Sequence, residues 1–343
     1  MSWLSKTLET ADHAERLRTD LPYFCEHALK IRPKGGLIEP FALNHSQRVL
    51  HELIEDQKAK TGKVRIVILK ARQLGVSTYV AARLFHRVIN NPGLRTIIIG
   101  HEKRASTNLF QIVHRFHSLM PEGLRPAIGT SNAEELLFSN IDSGYLVSVA
   151  SSEGTGRSAT AQCLHASEVA FWHDLDVQMA SLMQTVPDLP GTEIILESTA
   201  NGYNPFHSLW AKAVRGESEF LPVFLPWWLD NQYQSDATGF SPDAQERQLM
   251  QLYKLSKEQM AWRRNKISQL GNEHYFGQEY PADASEAFIS SEFDSFISPV
   301  LVLQARQEEL EDPYGELIIG VDPAGMGPDR TSIHPLGTLD RSN

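Results

Sequence analysis

The chain is 343 residues long, 41% hydrophobic and 22% charged, with a formal net charge of −10. That is the balance of an ordinary soluble globular protein, with room for roughly two to three domains. The acidic whole excludes a protein that coats nucleic acid by bulk charge, but not local phosphate contacts, which depend on where Lys and Arg sit.

The first 18 residues have charges scattered from Lys6 onward and lack the apolar core of a signal peptide. No apolar run approaches the roughly 20 residues of a membrane span. Cys25 and Cys163 stand far apart with no CxxC or Cys/His cluster, which argues against a disulfide framework or a structural zinc site and fits a reducing cytosol.

Residues 1–40 read as a mixed, largely helical segment that ends in the breaker cluster Arg32-Pro33-Lys34-Gly35-Gly36. Asn44 is placed to cap a helix whose Val49, Leu50, Leu53 and Ile54 share one face. Residues 64–69, Val-Arg-Ile-Val-Ile-Leu, form a β-branched and apolar run too short for most helices, which predicts a strand buried on both faces. A helix over 77–89 follows and is stopped by Asn91-Pro92-Gly93. Residues 96–99 then predict a second buried strand and 103–118 another helix.

Residues 136–138 and 145–149 read as paired strands around Asp142-Ser143-Gly144, and residues 163–166 and 193–196 complete the strand candidates. Alternation of strands and helices predicts an α/β fold, a mostly parallel sheet covered by helices on both faces. After Pro226-Trp227-Trp228 the character changes. Residues 241–271 are helix-rich and charged, which suggests a small lid-like subdomain. A last apolar strand over 317–321 opens a new unit of about 20 residues, too few for a domain. The expected division is 1–40, 41–232, 233–312 and 313–343.

The stretch Lys70-Ala71-Arg72-Gln73-Leu74-Gly75-Val76-Ser77-Thr78 lies between the first buried strand and a helix. A phosphate-binding loop belongs there, because the helix N-terminus offers free N–H groups to an anion. Against the pattern GxxxxGK[ST], Gly75 and Ser77 match, Lys70 replaces the first glycine and Val76 replaces the lysine. A cation must still neutralise the terminal phosphates, and Lys70 and Arg72 at the front of the loop can each supply one. Ser77 keeps the hydroxyl that ligates Mg²⁺.

The string ARQLGVST resembles the deviant Walker A motif of tailed-phage large terminase subunits, which carries an Arg three residues before the glycine or a Lys five before it. Arg72 and Lys70 fall on those positions. Residues 163–172, Cys-Leu-His-Ala-Ser-Glu-Val-Ala-Phe-Trp, resemble the terminase Walker B block. Glu168 falls on the catalytic glutamate and Ser167 on the aspartate that holds Mg²⁺ in P-loop hydrolases, a departure because serine brings no charge to the metal. Arg157, in the Gly/Ser-rich loop ahead of that strand, falls where terminases place an arginine finger that acts on a neighbouring subunit. Ser198, Thr199 and Ala200 resemble the coupling motif that relays loss of the γ-phosphate. Phe41 and Gln47 lie where such motors carry a stacking aromatic and an adenine-reading glutamine.

Near the C-terminus, Asp322 and Asp329 resemble the first carboxylates of the RNase H-like nuclease domain of terminases, where a carboxylate cluster holds two metal ions. Two aspartates are too few for that site, so this chain as given is not expected to cut DNA.

The resemblance implies a packaging ATPase that uses ATP and Mg²⁺ to drive double-stranded viral DNA into a procapsid. It would work in the bacterial cytoplasm as a ring of identical subunits, a pentamer, with the portal protein and small terminase subunit as partners and no membrane. Two other readings fit the same motifs. A superfamily-2-like helicase shares them but needs a second strand–helix series, which does not follow residue 230. A non-catalytic remnant or assembly module would explain Val76 and Ser167 as marks of a dead site.

Overall fold

A computed structural model describes residues 3–33, 35–150, 160–288, 318–322 and 332–336. The segment ahead of Asn44 holds helices α1 (Trp3–Thr19) and α2 (Leu21–Ala28) and a two-strand ladder of β1 (Lys30–Ile31) with β2 (Glu39–Pro40). Asn44 caps α3 (His45–Thr61) as expected. Its side chain accepts from the Gln47 N–H while the Gln47 side chain accepts from the Asn44 N–H, a reciprocal cap.

The chain then runs β3 (Val64–Lys70), α4 (Val76–Asn90), β4 (Arg95–Gly100), α5 (Lys103–Leu119), β5 (Ile128–Ser131), β6 (Glu135–Phe138), β7 (Ser143–Val149) and β8 (Cys163–Ser167). It continues as α6 (Leu175–Thr185), β9 (Glu193–Ser198), α7 (Pro205–Val214) and β10 (Leu221–Leu225). These strands form one eight-stranded sheet in the order β10-β3-β9-β8-β4-β7-β6-β5. The neighbours from β10 to β7 are parallel, and β6 and β5 close one side antiparallel.

Every residue of β3, β8 and β9 is buried, as a parallel strand with helices on both sides requires. Alternation along the strands divides the two faces. Val67, Leu69, Leu164, Ala166, Ile194 and Leu196 join Leu182 of α6 and Phe206 and Trp210 of α7 in one apolar core. The opposite face lies under α4, whose Arg83 grips Glu193 of β9 through both carboxylate oxygens, at 2.8 and 2.9 Å.

The strand β10 is absent from the sequence reading. Its Leu-Pro-Val-Phe-Leu contains Pro222, a residue that argues against a strand except at a sheet edge, and the edge is where β10 lies, beside β3. The short β5, with Gly129 inside it, is the opposite edge.

Helices α8 (Ala244–Tyr253), α9 (Lys257–Leu270), α10 (Glu273–Glu279) and α11 (Ala284–Ala287) follow. They belong to the same compact unit as the sheet, Met1–Phe293. Trp227 stacks on Trp262 of α9 at 5.1 Å and meets Phe276 of α10 at 6.0 Å, so an aromatic cluster fastens the helices to the end of β10. In the second unit, Asp294–Asn343, β11 (Ile318–Asp322) pairs antiparallel with β12 (Ser332–Leu336). Among the described residues no helix is long and apolar enough to cross a membrane.

Candidate active site at the end of β3

The loop from Ala71 to Gly75 is held from several sides. Ala71 N–H donates to Leu225 of β10 and Arg72 N–H to the carbonyl of Glu279, and the Tyr233 hydroxyl donates to the Arg72 carbonyl. Asn44 Nδ2 reaches the Leu74 carbonyl at 3.1 Å and Gln47 Nε2 the Gly75 carbonyl at 2.8 Å. Gly75 has φ of 75°, in the left-handed region that favours glycine. No side chain caps α4 after it, so its first N–H groups stay open to an anion.

Lys70, the last residue of β3, is buried and turned inward. Its Nζ lies 3.4 Å from Glu168 Oε1 and 3.7 Å from Glu197 Oε2. Burial by itself would push the Lys70 pKa down, but the carboxylates of Glu197 and Glu168 outweigh it and raise the pKa. Lys70 is thus kept cationic at neutral pH. Glu197 is fully buried. Burial would raise its pKa, yet the charge of Lys70 and the hydrogen bond from His165 hold it down at about 2.

Arg72 is exposed and ion-paired to Glu279 Oε2 at 3.1 Å. Of the two cations at the front of the loop, Lys70 faces the carboxylates and Arg72 faces α10. Val76 is buried as the first residue of α4, while Ser77 and Thr78 are half-buried behind it.

Glu168 follows β8 with φ of 54° and ψ of 44°, a left-handed conformation that costs a non-glycine residue energy and is concentrated at functional sites. Ser167 is buried at the strand end, its carbonyl accepting from Trp172 Nε1 at 3.0 Å. The turn after Glu168 is tied to β9: Ala170 N–H donates to Ser198 Oγ at 3.1 Å, and Asn201 and Asn204 both donate to the Ala170 carbonyl. Thr199 and Ala200 are buried, and Gln278 Nε2 reaches the Ala200 carbonyl at 3.4 Å.

Two sequence expectations meet a different placement. Gln47 is buried with both ends of its amide engaged, Oε1 accepting from Asn44 N–H and Nε2 donating to Gly75. As placed, it clamps the phosphate loop to α3 instead of offering an open edge to a base. Phe41 is buried and stacked on Phe116 at 6.2 Å, a core residue and not a free platform. Arg157 and Asp329 lie outside the described residues. Asp322 ends β11, in register with Ser332.

No family model matches the sequence. In fold, the chain is similar to the crystal structure of the bacteriophage HK97 large terminase, with a TM-score of 0.55 at 15% identity, covering 93% of this chain and 67% of that one. The fold is that of a phage large terminase. The large terminase ATPase domain of Thermus phage P74-26 is also similar, at a TM-score of 0.48 and 16% identity, over 73% of this chain and 94% of that one. The terminase resemblance read from the motifs and the likeness of the folds therefore agree.

Within this terminase fold, Glu197 and His165 are the site residues that sequence reasoning missed. His165 Nε2 meets Glu197 Oε1 at 3.0 Å with both groups buried. One signal was readable: a glutamate ends the otherwise apolar run Ile194-Ile195-Leu196, and a charge in a doubly covered strand requires a partner.

Among the described residues no group of three or more His, Cys, Asp or Glu forms a metal cage. Mg²⁺ carried on a nucleotide needs none, since phosphates, waters, a hydroxyl and one or two carboxylates suffice. Ser77 and the buried Glu197 Oε2, which has no hydrogen-bond partner, fit that requirement.

Proposed function

We propose that this chain is the ATP-hydrolysing motor subunit of a phage DNA-packaging machine, which drives double-stranded DNA into a procapsid. The observation that carries the reading is Lys70, a buried cation at the end of β3 beside the open N-terminus of α4 and 3.4 Å from Glu168. It supplies at the front of the glycine turn the charge that Val76 cannot supply behind it.

ATP binds with its phosphates on the N–H groups of residues 75–78 and with Lys70 as their counter-charge. The Ser77 hydroxyl would help to hold Mg²⁺, which would supply positive charge against that developing on the γ-phosphoryl. Glu168 orients the attacking water and takes up its proton as water bonds to the γ-phosphorus. The bond to the bridging oxygen breaks, and ADP and phosphate are the products. Arg157 is assigned to stabilise the transferring phosphoryl of a neighbouring subunit in a ring, an effect of roughly 10³–10⁵ in rate.

Release of phosphate is sensed by the turn after Glu168. Ser198 holds that turn from β9, and Asn204, which caps α7, holds the same turn, so its movement reaches the elements that would grip DNA. The portal and the small subunit complete the assembly.

ATP turnover by the wild-type chain against Glu168→Gln tests the reading. The variant is expected to bind nucleotide normally and to lose about 10²–10⁴ in kcat. Absence of turnover in the wild type with portal and DNA present would favour the non-catalytic remnant.

A further inference from the structure

In P-loop hydrolases a carboxylate on the acidic strand holds Mg²⁺. Here β8 ends Ala166-Ser167-Glu168, and serine brings no charge. The sheet register sets Ser167 directly opposite Glu197 on β9. Residues in register on neighbouring parallel strands point to the same face, with about 4.8 Å between strands. A carboxylate is therefore present on that face after all, on the strand between β8 and β3 and hence nearer the phosphate loop.

The state of Glu197 is unusual for a buried carboxylate. Oε1 meets the ring Nε2 of His165 at 3.0 Å, and because an ionised carboxylate only accepts, the imidazole must donate. Oε2 is buried with no hydrogen bond, and its cation, Lys70 Nζ, stands off at 3.7 Å. Buried polar atoms are normally satisfied, and an exception calls for an explanation such as an ion that belongs there. The Ser77 hydroxyl, the second group suited to the metal, is near enough to the same carboxylate to help hold its pKa down.

We infer that Glu197 replaces the missing Walker B aspartate. With Ser77 it holds the Mg²⁺ of the bound nucleotide, and His165 fixes the orientation of its carboxylate, as partners of metal-binding groups commonly do. Before nucleotide arrives, Lys70 is its counter-charge. On binding, Lys70 moves to the phosphates and Glu197 to the metal, so every buried charge stays paired. The inference rests on the reading of residues 70–78 as an ATP site.

The test is titration of a fluorescent ATP analogue into wild type, Glu197→Gln and Glu197→Gln/Ser167→Asp, first in EDTA and then across a Mg²⁺ series. Glu197→Gln is expected to bind metal-free analogue at least as tightly as wild type, since no buried carboxylate is left unpaired when Lys70 turns to the phosphates, while the Mg²⁺ needed to tighten binding rises about tenfold or more. Ser167→Asp in the same chain is expected to bring that requirement back. Glu197→Asp keeps a counter-charge for Lys70 but withdraws the carboxylate by one methylene, and should shift the requirement the same way by less. It carries the test if the glutamine variant does not fold. Wild-type Mg²⁺ dependence in these variants overturns the inference alone. A wild-type chain that binds no analogue overturns it together with the ATP-site reading.

Discussion

Lys70 Nζ lies 3.4 Å from Glu168 Oε1, although their strands, β3 and β8, are not neighbours in the sheet. The lysine reaches across the end of β9, where Glu197 takes its other side. One cation thus joins the phosphate loop, the water-orienting carboxylate and the intervening strand, and the chemistry assigned to the site follows from that bridge.

Lys70→Gln is expected to lower kcat/KM for ATP by about 10²–10³, the usual loss when a preorganised charge facing a transition state is removed. Arg72→Gln is expected to cost less than about tenfold, because Arg72 is exposed and held by Glu279. Steady-state ATPase kinetics of the two variants check this, and the reverse order would move the role to Arg72.

Acid should weaken the fold through two of its buried glutamates, Glu193 and Glu197. Glu193, despite burial that favours its neutral form, is held at about 2 by Arg83 and Arg87, against an ordinary value of 4.5; Glu197 is also held at about 2. A carboxylate with a depressed folded pKa stabilises the fold fully above its unfolded pKa and loses that contribution as pH falls through the folded value. The contribution of these two groups to stability, measured by urea titration, should therefore be flat near neutrality and decline from about pH 5 toward pH 2, against an opposite slope up to about pH 7 from Glu286, which burial raises to about 7. At pH 7, Arg83→Met should cost about 3–5 kcal/mol by leaving Glu193 short of its bidentate partner.

Gly75→Ala should damage the phosphate loop for two separable reasons. An added Cβ would lie 2.7 Å from Gln47 Nε2, and φ of 75° costs a residue with a side chain about 1–2 kcal/mol. Gln47→Ala added to Gly75→Ala relieves the contact but not the backbone cost. Thermal melts should show partial recovery in the double variant, beyond which the clamp from Gln47 to Gly75 is lost.

Much of the sheet was legible because its strands are unbroken β-branched runs, as at residues 64–69 and 96–99, which only a doubly covered strand explains. Pro222 hid β10, which tolerates it because it is an edge strand. Ser77, Glu168 and Ser198 were readable because their residue types sit at a helix start or a strand end where motifs of this kind place them. Glu197 was marked in sequence only as a charge ending an apolar run; its role comes from cross-strand register with Ser167 and from Lys70 on the next strand, neither of which lies near it in sequence. Gln47 was read as an adenine-reading residue ahead of the loop, and only three dimensions show its amide ends engaged, one with Asn44 and one with Gly75.

A crystal structure of the chain with Mg²⁺ and a non-hydrolysable ATP analogue tests the central claim most directly. The account predicts analogue phosphates on the 75–78 backbone, with Lys70 Nζ moved from Glu168 to within about 3 Å of a phosphate oxygen. An empty turn, or bound phosphates with Lys70 still held between Glu168 and Glu197, would contradict it.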